Sequence, residues 1–378
     1  MSFLRLSLFL LLSWEVCGQT AFKGTVVDAQ TDQPVPFANI GIVGRGIGTV
    51  SDMNGKFLLD FPPQRISGTD LVRISSLGYE PIVLSVSLME EQKDSLLFRM
   101  KDEPISLQEV VLTNLPMYQV EEEIGYPGMS GKGIGYWKDS VALGGELASL
   151  IRVEKGLRKL NSLFFDVLYN PSDSLKLRLN FYKPMSGPKY PGENLNQSGN
   201  NILLTLKKGK SLAVVNLEPY DIWVRDDFIV SMELLQVHGT EKVGLSLPAG
   251  SIGSGRSYRR YASQGNWEVL DGSVVGYYFQ STYHTDNPRR LPKPRVVLKQ
   301  QKNQREISGF VFFAGRPLPG VAVRNYSRNE EVATDARGRY RLKVSKGDVL
   351  GISYPGLEPL IVEVEEPKNF NFQMQASQ

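Results

Sequence analysis

The chain has 378 residues, which is enough for two or three domains that each bury a core of their own. Its 43 Lys and Arg exceed its 40 Asp and Glu by only three, so no general affinity for nucleic acid is expected. The single cysteine, Cys17, excludes internal disulfides and multi-thiolate metal sites.

Residues 1–18 read as a secretory signal peptide. Arg5 provides the positive start, Leu6–Leu12 an apolar stretch, and small residues follow near Gly18. The apolar stretch is shorter than the ~20 residues that a membrane-spanning helix needs. We therefore expect an exported protein in the periplasm, the outer membrane or the cell surface, which associates with a membrane at most peripherally. Whether Cys17 carries a lipid is left open, because the residues before it form a poor lipobox.

Residues 19–114 contain short β-branched runs separated by Pro, Gly and Asp turns, which is typical of a small β-sandwich. Four of the residues in GIVGRGIGT (41–49) are glycines, as in a loop that binds phosphate. Such a loop must lead into a helix, whereas a strand and a turn, Thr49–Asp52, follow here. The glycines are therefore assigned to a hairpin loop, where the chain bends between two strands.

Residues 115–300 are predicted to form a larger antiparallel sandwich of jelly-roll type. The segment opens with a glycine-rich stretch, Tyr126–Gly135, which we expect to be a loop. Leu175, Leu177, Leu179 and Phe181 then alternate with polar residues, the pattern of a strand with one buried face. The end of the segment is rich in Pro, Lys and Arg and is predicted to be a linker.

Five residues of the middle segment form the candidate ligand-binding surface: Tyr258, Arg259, Arg260, Tyr261 and Trp267. Aromatic faces and guanidinium groups are suited to binding a sugar ring or an extended peptide. The alternative is that half of the aromatic residues here fill the core while the arginines form a solvated hairpin edge.

A zinc site is the second candidate. His238 and Glu241 have the His-x-x-Glu spacing of metallocarboxypeptidases, and His284 could supply a third ligand. The surrounding sequence lacks the alternating strands and helices of such enzymes, and the stretch beginning at His238 also fits a turn. No cofactor, no metal and no catalytic residue is therefore predicted.

Residues 301–378 repeat the motifs of the first module. PVPFANI (34–40), SDMNGKF (51–57) and ISSLGYEP (74–81) correspond to PLPGVAV (317–323), TDARGRY (334–340) and ISYPGLEP (352–359). Pro36 precedes Asp52 by 16 residues, and Pro319 precedes Asp335 by 16 residues. Two copies of one module are thus expected to flank the middle segment.

Both copies resemble the carboxypeptidase regulatory-like (CarboxypepD_reg-like) domain, a prealbumin-like β-sandwich, and the second copy is a diverged example. The resemblance implies a non-catalytic accessory unit of the kind found beside carboxypeptidases and at the N-termini of TonB-dependent receptors of the Bacteroidetes envelope. The stretch Pro104–Leu112 is similar to the strand that joins this domain to the receptor plug.

The predicted fold class is all-β, with two small prealbumin-like or Ig-like sandwiches flanking a larger jelly-roll-like sandwich. The predicted function is that of a non-enzymatic envelope protein in a structural, adhesion or binding role. Its partner would be another envelope protein or a carbohydrate or peptide ligand. The alternatives are an accessory component of a TonB-linked uptake system, and a zinc peptidase or hydrolase using His238, Glu241 and His284.

Overall fold

The computed structural model describes residues 20–61, 65–92, 96–103, 118–126, 133–135, 143–186, 189–239, 244–250, 255–270, 274–286, 305–326, 328 and 330–376. The predicted signal peptide, the stretch Pro104–Leu112 and the linker residues 287–304 lie outside these ranges. The described part is almost entirely β, which confirms the predicted fold class. It contains no helix that is long and apolar enough to cross a bilayer.

The N-terminal sandwich comprises β1 to β7 and one short helix. Its elements are β1 Thr20–Asp28, β2 Asn39–Ile42, β3 Ile47–Val50, β4 Lys56–Phe61, β5 Leu71–Ser75, β6 Ile82–Ser85, α1 Val86–Glu91 and β7 Leu96–Met100. One sheet has the order β4-β1-β7 and the other β3-β2-β5-β6. Phe22 of the first sheet and Ile40 of the second are fully buried in a shared core.

Helix α1 was not expected from the strand pattern of the module. Ser85 caps its first turn, since the Ser85 hydroxyl accepts a hydrogen bond from the Leu88 amide at 3.4 Å. Val86 and Met89 anchor the helix in the core of the sandwich.

The middle unit comprises β8 to β22. Its strands are β8 Tyr118–Gly125, β9 Gly133–Gly135, β10 Glu146–Ile151, β11 Leu157–Val167, β12 Ser174–Pro184, β13 Pro191–Asn194, β14 Ile202–Lys207, β15 Ser211–Asn216, β16 Trp223–Val224, β17 Phe228–His238, β18 Ser246–Gly250, β19 Arg256–Arg260, β20 Glu268–Leu270, β21 Val274–Val275 and β22 Tyr278–Thr285. A single 3-10 turn, Glu218–Tyr220, interrupts the described strands.

Two large sheets of the middle unit enclose its core. One has the order β13-β12-β17-β10-β19-β20 and the other β15-β11-β22-β8. The buried apolar face predicted for β12 is confirmed, because Leu175, Leu177, Leu179 and Phe181 are each at most 1% exposed. The prediction that only one face is buried is wrong at Arg178 and Asn180, which the N-terminal sandwich and the neighbouring strands cover. The predicted loop Tyr126–Gly135 is wrong in one respect: β9 lies within it and pairs with β18.

The C-terminal sandwich comprises β23 to β30 and has the same strand order as the N-terminal one. Its strands are β23 Arg305–Phe313, β24 Arg316–Pro317, β25 Ala322–Asn325, β26 Glu330–Ala333, β27 Arg339–Val344, β28 Val349–Ser353, β29 Leu360–Glu363 and β30 Phe372–Met374. The order β27-β23-β30 matches β4-β1-β7, and β26-β25-β28-β29 matches β3-β2-β5-β6. In each sandwich the first long strand pairs in parallel with the last one.

Individual hydrogen bonds also repeat between the two sandwiches. The Ser51 hydroxyl accepts from a backbone amide at 2.9 Å and donates to a carbonyl at 2.8 Å, and Thr334 does the same at 2.9 and 2.7 Å. The next residue, Asp52 or Asp335, accepts from the amides two and four positions later. These identical turns explain the spacing that the sequence repeats.

The C-terminal sandwich contacts the middle unit through a small mixed surface. The ring of Tyr326 meets that of Phe164 edge-on at 5.8 Å between centroids. Arg324 lies 3.3 Å from Glu218, and Lys207 lies 3.3 Å from Glu358.

Candidate functional site

The N-terminal sandwich meets the middle unit along its β2–β3 hairpin. Gly41 and Gly48 are directly opposite each other in this hairpin. A Cβ atom on Gly41 would lie 2.2 Å from the Ser263 carbonyl oxygen, and one on Gly48 would lie 2.4 Å from it. The hairpin is as predicted, but these two glycines lie in its strands, where they allow the middle unit to approach closely.

Hydrogen bonds fix the same contact. The Gly44 amide donates to the Gln264 carbonyl at 3.0 Å, so it is not free to hold an anion. The Gln264 side chain donates to the Ser75 hydroxyl at 2.9 Å. The segment Ala262–Asn266 of the middle unit is thus bonded to the β2–β3 turn and to the end of β5 in the N-terminal sandwich.

Phe37 forms a second point of contact between the two units. Its backbone has a φ of 57°, a conformation that a bulky residue rarely adopts. The Phe37 carbonyl accepts a hydrogen bond from Arg178 Nη1 at 3.0 Å, and its ring is buried with Val50 against Leu235. The unusual backbone conformation is therefore held by contacts from across the interface.

Arg178 belongs to a buried charged row that crosses four strands. On β12, β17, β10 and β19 the residues that face away from the main core include Arg178, Glu233, Glu146 and Arg260. The strand register places these four side chains in adjacent positions. Two cations at the ends of the row thus flank two carboxylates in its middle.

The Arg178–Glu233 pair is bidentate. Arg178 Nε and Nη2 lie 2.8 and 2.9 Å from the two carboxylate oxygens, and the Asn180 amide donates to Glu233 at 2.8 Å. Burial alone would raise the pKa of Glu233, but the Arg178 charge and these hydrogen bonds outweigh it and lower that pKa. Both oxygens of Glu233 thus accept hydrogen bonds from neighbouring side chains.

Glu146 is completely buried beside Glu233. It accepts hydrogen bonds from Ser231 and Arg260, and from the Tyr182 hydroxyl at 3.0 Å. Burial raises its pKa, and the neighbouring Glu233 charge acts in the same direction against the opposing effect of Arg260. The two carboxylates of the row therefore have pKa values shifted in opposite directions.

A polar cleft of about 320 Å³ opens over this row, between the two units. We call it the seam cleft. Asn39, Arg73 and Ser76 line it from the N-terminal sandwich, and Arg178, Glu233, Arg260 and Trp267 are among its residues from the middle unit. The Arg260 guanidinium lies 4.9 Å from the centre of the Trp267 ring, and Tyr182 meets that ring edge-on at 6.1 Å.

Two buried polar atoms in the lining of the seam cleft have no hydrogen-bond partner within the described residues. They are the side-chain oxygen Oδ1 of Asn39 and the Nε of Arg260. An unpaired buried acceptor and an unpaired buried donor each cost free energy unless a ligand or water satisfies them.

The five residues predicted to form one ligand-binding surface lie in three different environments. Arg260 and Trp267 line the seam cleft. Tyr258 is fully buried against Ala148 and Ile229, so its ring belongs to a core. Arg259 and Tyr261 face the other way, with the guanidinium 4.5 Å from the ring centre, and Tyr261 borders a separate depression of about 420 Å³ at the hairpin tip.

The predicted zinc ligands stand on different sheets. His238 ends β17, whereas His284 lies in β22 of the opposite sheet, with its ring 5.1 Å from that of Trp223. Glu241 lies outside the described residues. The described part of the chain contains no group of three His, Cys, Asp or Glu side chains that could hold a metal ion.

Arg178, Glu233 and Glu146 are not among the site residues predicted from the sequence. Arg178 and Glu233 stand at polar positions in alternating strands, which is also the pattern of a solvent-exposed face, and Glu146 begins the mainly apolar strand β10. The sequence does show charged residues within several predicted strands. Only the strand register shows that these residues are neighbours.

Comparison with known proteins identifies one domain. A model of the CarboxypepD_reg-like domain family matches residues 22–112. No curated protein matches the chain.

Solved structures give only distant likenesses. The chain is similar to the cysteine protease and lectin-like domains of a surface-layer-associated protein of Clostridium difficile, at 11% identity and a TM-score of 0.30, with 43% of this chain and 36% of that chain covered. It is similar to the major pilin subunit of Bacillus cereus at 10% identity and a TM-score of 0.16, with 96% and 100% covered. The chain spans only about a third of the first of these proteins, and neither likeness contributes to the function proposed below. Residues 22–112 are therefore a CarboxypepD_reg-like domain, as both the sequence motifs and the family match show.

Proposed function

We propose that this protein is an exported, non-enzymatic binding protein of the cell envelope, and that its ligand occupies the seam cleft. The observation that carries the proposal is the construction of the cleft from two units. Its walls come from both the CarboxypepD_reg-like domain and the middle unit, and one lining residue from each unit, Asn39 and Arg260, has a buried polar atom without a hydrogen-bond partner among the described residues. A concave site at a domain interface with a few convergent polar groups is the usual form of a small-ligand site.

The state of the two carboxylates favours binding over catalysis. A catalytic acid pair needs at least one carboxyl group that is free to meet the substrate. Both oxygens of Glu233 are bonded to Arg178, and Glu146 is enclosed by Arg260, Ser231 and Tyr182. These groups hold the floor of the cleft in place.

Export is supported by the sequence of residues 1–18, which has the charged start and the apolar stretch of a secretory signal. In the proposed role, the N-terminal domain both contributes a wall of the cleft and fixes it to the middle unit. In this proposal the C-terminal sandwich is a second copy of the same module, which the shared order of its main strands supports.

The repeat provides a matched pair of variants for the test. Ser76 lines the cleft directly after β5, and Tyr354 takes the same place after β28 in the C-terminal sandwich. Ser76→Tyr therefore introduces a side chain that the module accommodates in its other copy, and it fills the cleft. Tyr354→Ser is the reverse exchange, at a residue that does not line the cleft.

The test is a saturation-transfer NMR screen of small polar compounds against the full chain. We expect compounds whose signals disappear with Ser76→Tyr and persist with Tyr354→Ser. Compounds that bind equally to both variants, or a screen without binders, would contradict the proposal. Conversion of a bound compound to product would show an enzyme instead.

A further inference from the structure

We infer that the ligand of the seam cleft is an uncharged saccharide. This inference rests on the proposed function, because it concerns the same cleft. It follows from three properties of the described lining: the kinds of hydrogen-bonding group, the neutralised charges, and the aromatic side chain of Trp267.

The two unpaired groups favour a ligand that both donates and accepts hydrogen bonds. Asn39 Oδ1 needs a donor, and Arg260 Nε needs an acceptor. A hydroxyl group supplies both functions, and a sugar ring carries several hydroxyls in fixed relative positions. A sugar can therefore offer a donor to Asn39 and an acceptor to Arg260.

The charges of the lining are largely compensated. Of the three arginines that line the cleft, Arg178 is paired with Glu233 and Arg260 with Glu146. Arg73 is exposed on the N-terminal wall and forms no ion pair with a described residue. A polyanion such as a nucleotide would meet two carboxylates below it and a single exposed cation, which disfavours it.

Trp267 supplies the apolar contact. It is half-buried in the wall, and it is held by the guanidinium of Arg260 and the edge of Tyr182. An indole held in one orientation is a platform for the C–H face of a pyranose ring. In a lining that is mostly polar, such a platform suits a ligand with one apolar face.

An extended peptide fits less well. Peptides that add to a sheet need a strand with an unpaired edge. Asn39, Arg178 and Glu233 stand on β2, β12 and β17, and each of these strands has a neighbour on both sides. The edge strand β13 also borders the cleft, but it is only four residues long and begins with Pro191, which has no amide hydrogen to donate to an added strand. At these positions a ligand can therefore bind only through side chains, as sugars commonly do.

The experiment is isothermal titration of the full chain with hexose and N-acetylhexosamine disaccharides, with a dipeptide and a nucleoside monophosphate as comparison probes. We expect at least one disaccharide to bind and the comparison probes not to bind. Trp267→Ala should weaken disaccharide binding at least about tenfold. Tyr261→Ala, an aromatic truncation in the same loop but outside the cleft, should leave it unchanged.

Asn39→Ala provides a variant that does not disturb the aromatic packing, and it should weaken binding as well. Circular dichroism of each variant shows whether it is folded. Binding of only the peptide or the nucleotide, or equal disaccharide affinities of the folded variants and the native chain, would overturn the inference. So would a failure of all the disaccharides to bind. If the NMR screen still finds cleft ligands that are not saccharides, the proposed binding function stands while this inference fails.

Discussion

Replacing Gly41 with alanine tests how the N-terminal domain is joined to the middle unit. Gly41 has a backbone conformation that alanine also adopts, so the substitution introduces no backbone strain. The new methyl group would lie 2.2 Å from the oxygen and 2.9 Å from the carbon of the Ser263 carbonyl. Both are backbone atoms, which cannot move aside as a side chain can. The two units must therefore separate slightly to accommodate the methyl group.

We expect Gly41→Ala to destabilise the contact by about 1–3 kcal/mol, the usual cost of adding a methyl group to a fully packed site. Alanine also restricts the unfolded chain, which offsets roughly 0.4–1 kcal/mol of that cost. The matched control is Gly244→Ala, because the nearest atoms to its new methyl group lie at 3.5 Å, an ordinary contact distance. The control isolates the unfolded-state effect and should be neutral or slightly stabilising.

Urea unfolding measures the free energy of each variant, and hydrogen exchange locates the change. The amide of Gly44 should exchange faster in Gly41→Ala, because its hydrogen bond to the Gln264 carbonyl spans the same contact. Exchange at Gly44 and unfolding free energies that match those of the Gly244→Ala control would refute the close approach of the two units.

Three further predictions concern ionisable groups. Arg178→Met should cost about 3–5 kcal/mol in urea unfolding, because it leaves the Glu233 charge buried and unpaired, and adding Glu233→Met should recover much of the loss. Hydrogen bonds from the amides of residues 339 and 337 lower the pKa of Asp335 below 3.8, so its stabilising effect is complete above that pH and is lost as the pH falls through the lowered pKa. Asp335→Asn should accordingly flatten the acid side of the stability curve, and a curve that parallels the native one would contradict this. Metal analysis of the purified protein should find less than one zinc per chain, with no change in His238→Ala; stoichiometric zinc that the variant loses would instead favour the peptidase alternative.

Much of the fold could be predicted because it depends on local chemistry. The alternation of Leu175 to Phe181 requires only that one face of a strand be buried. The turns at Asp52 and Asp335 are defined within five residues each, by an aspartate that bonds amides two and four positions later. Such features are visible in a single stretch of sequence.

The seam cleft depends on contacts between distant residues, and for that reason it could be predicted only in part. Arg260 and Trp267 were singled out because aromatic and guanidinium groups cluster in their segment. Glu146 and Glu233 are 87 positions apart, and only the pairing of β10 with β17 makes them neighbours. Gly41 could be assigned to a hairpin, but nothing in the sequence shows that Ser263 packs against it.

The central claim, that the seam cleft binds the ligand, is tested most directly by one ratio. A compound that binds the native chain is titrated into both variants. The ratio is its dissociation constant for the Ser76→Tyr chain divided by that for the Tyr354→Ser chain. Because only the first exchange fills the cleft, we predict a ratio of at least about ten. A ratio of one, with both chains folded, would contradict the claim.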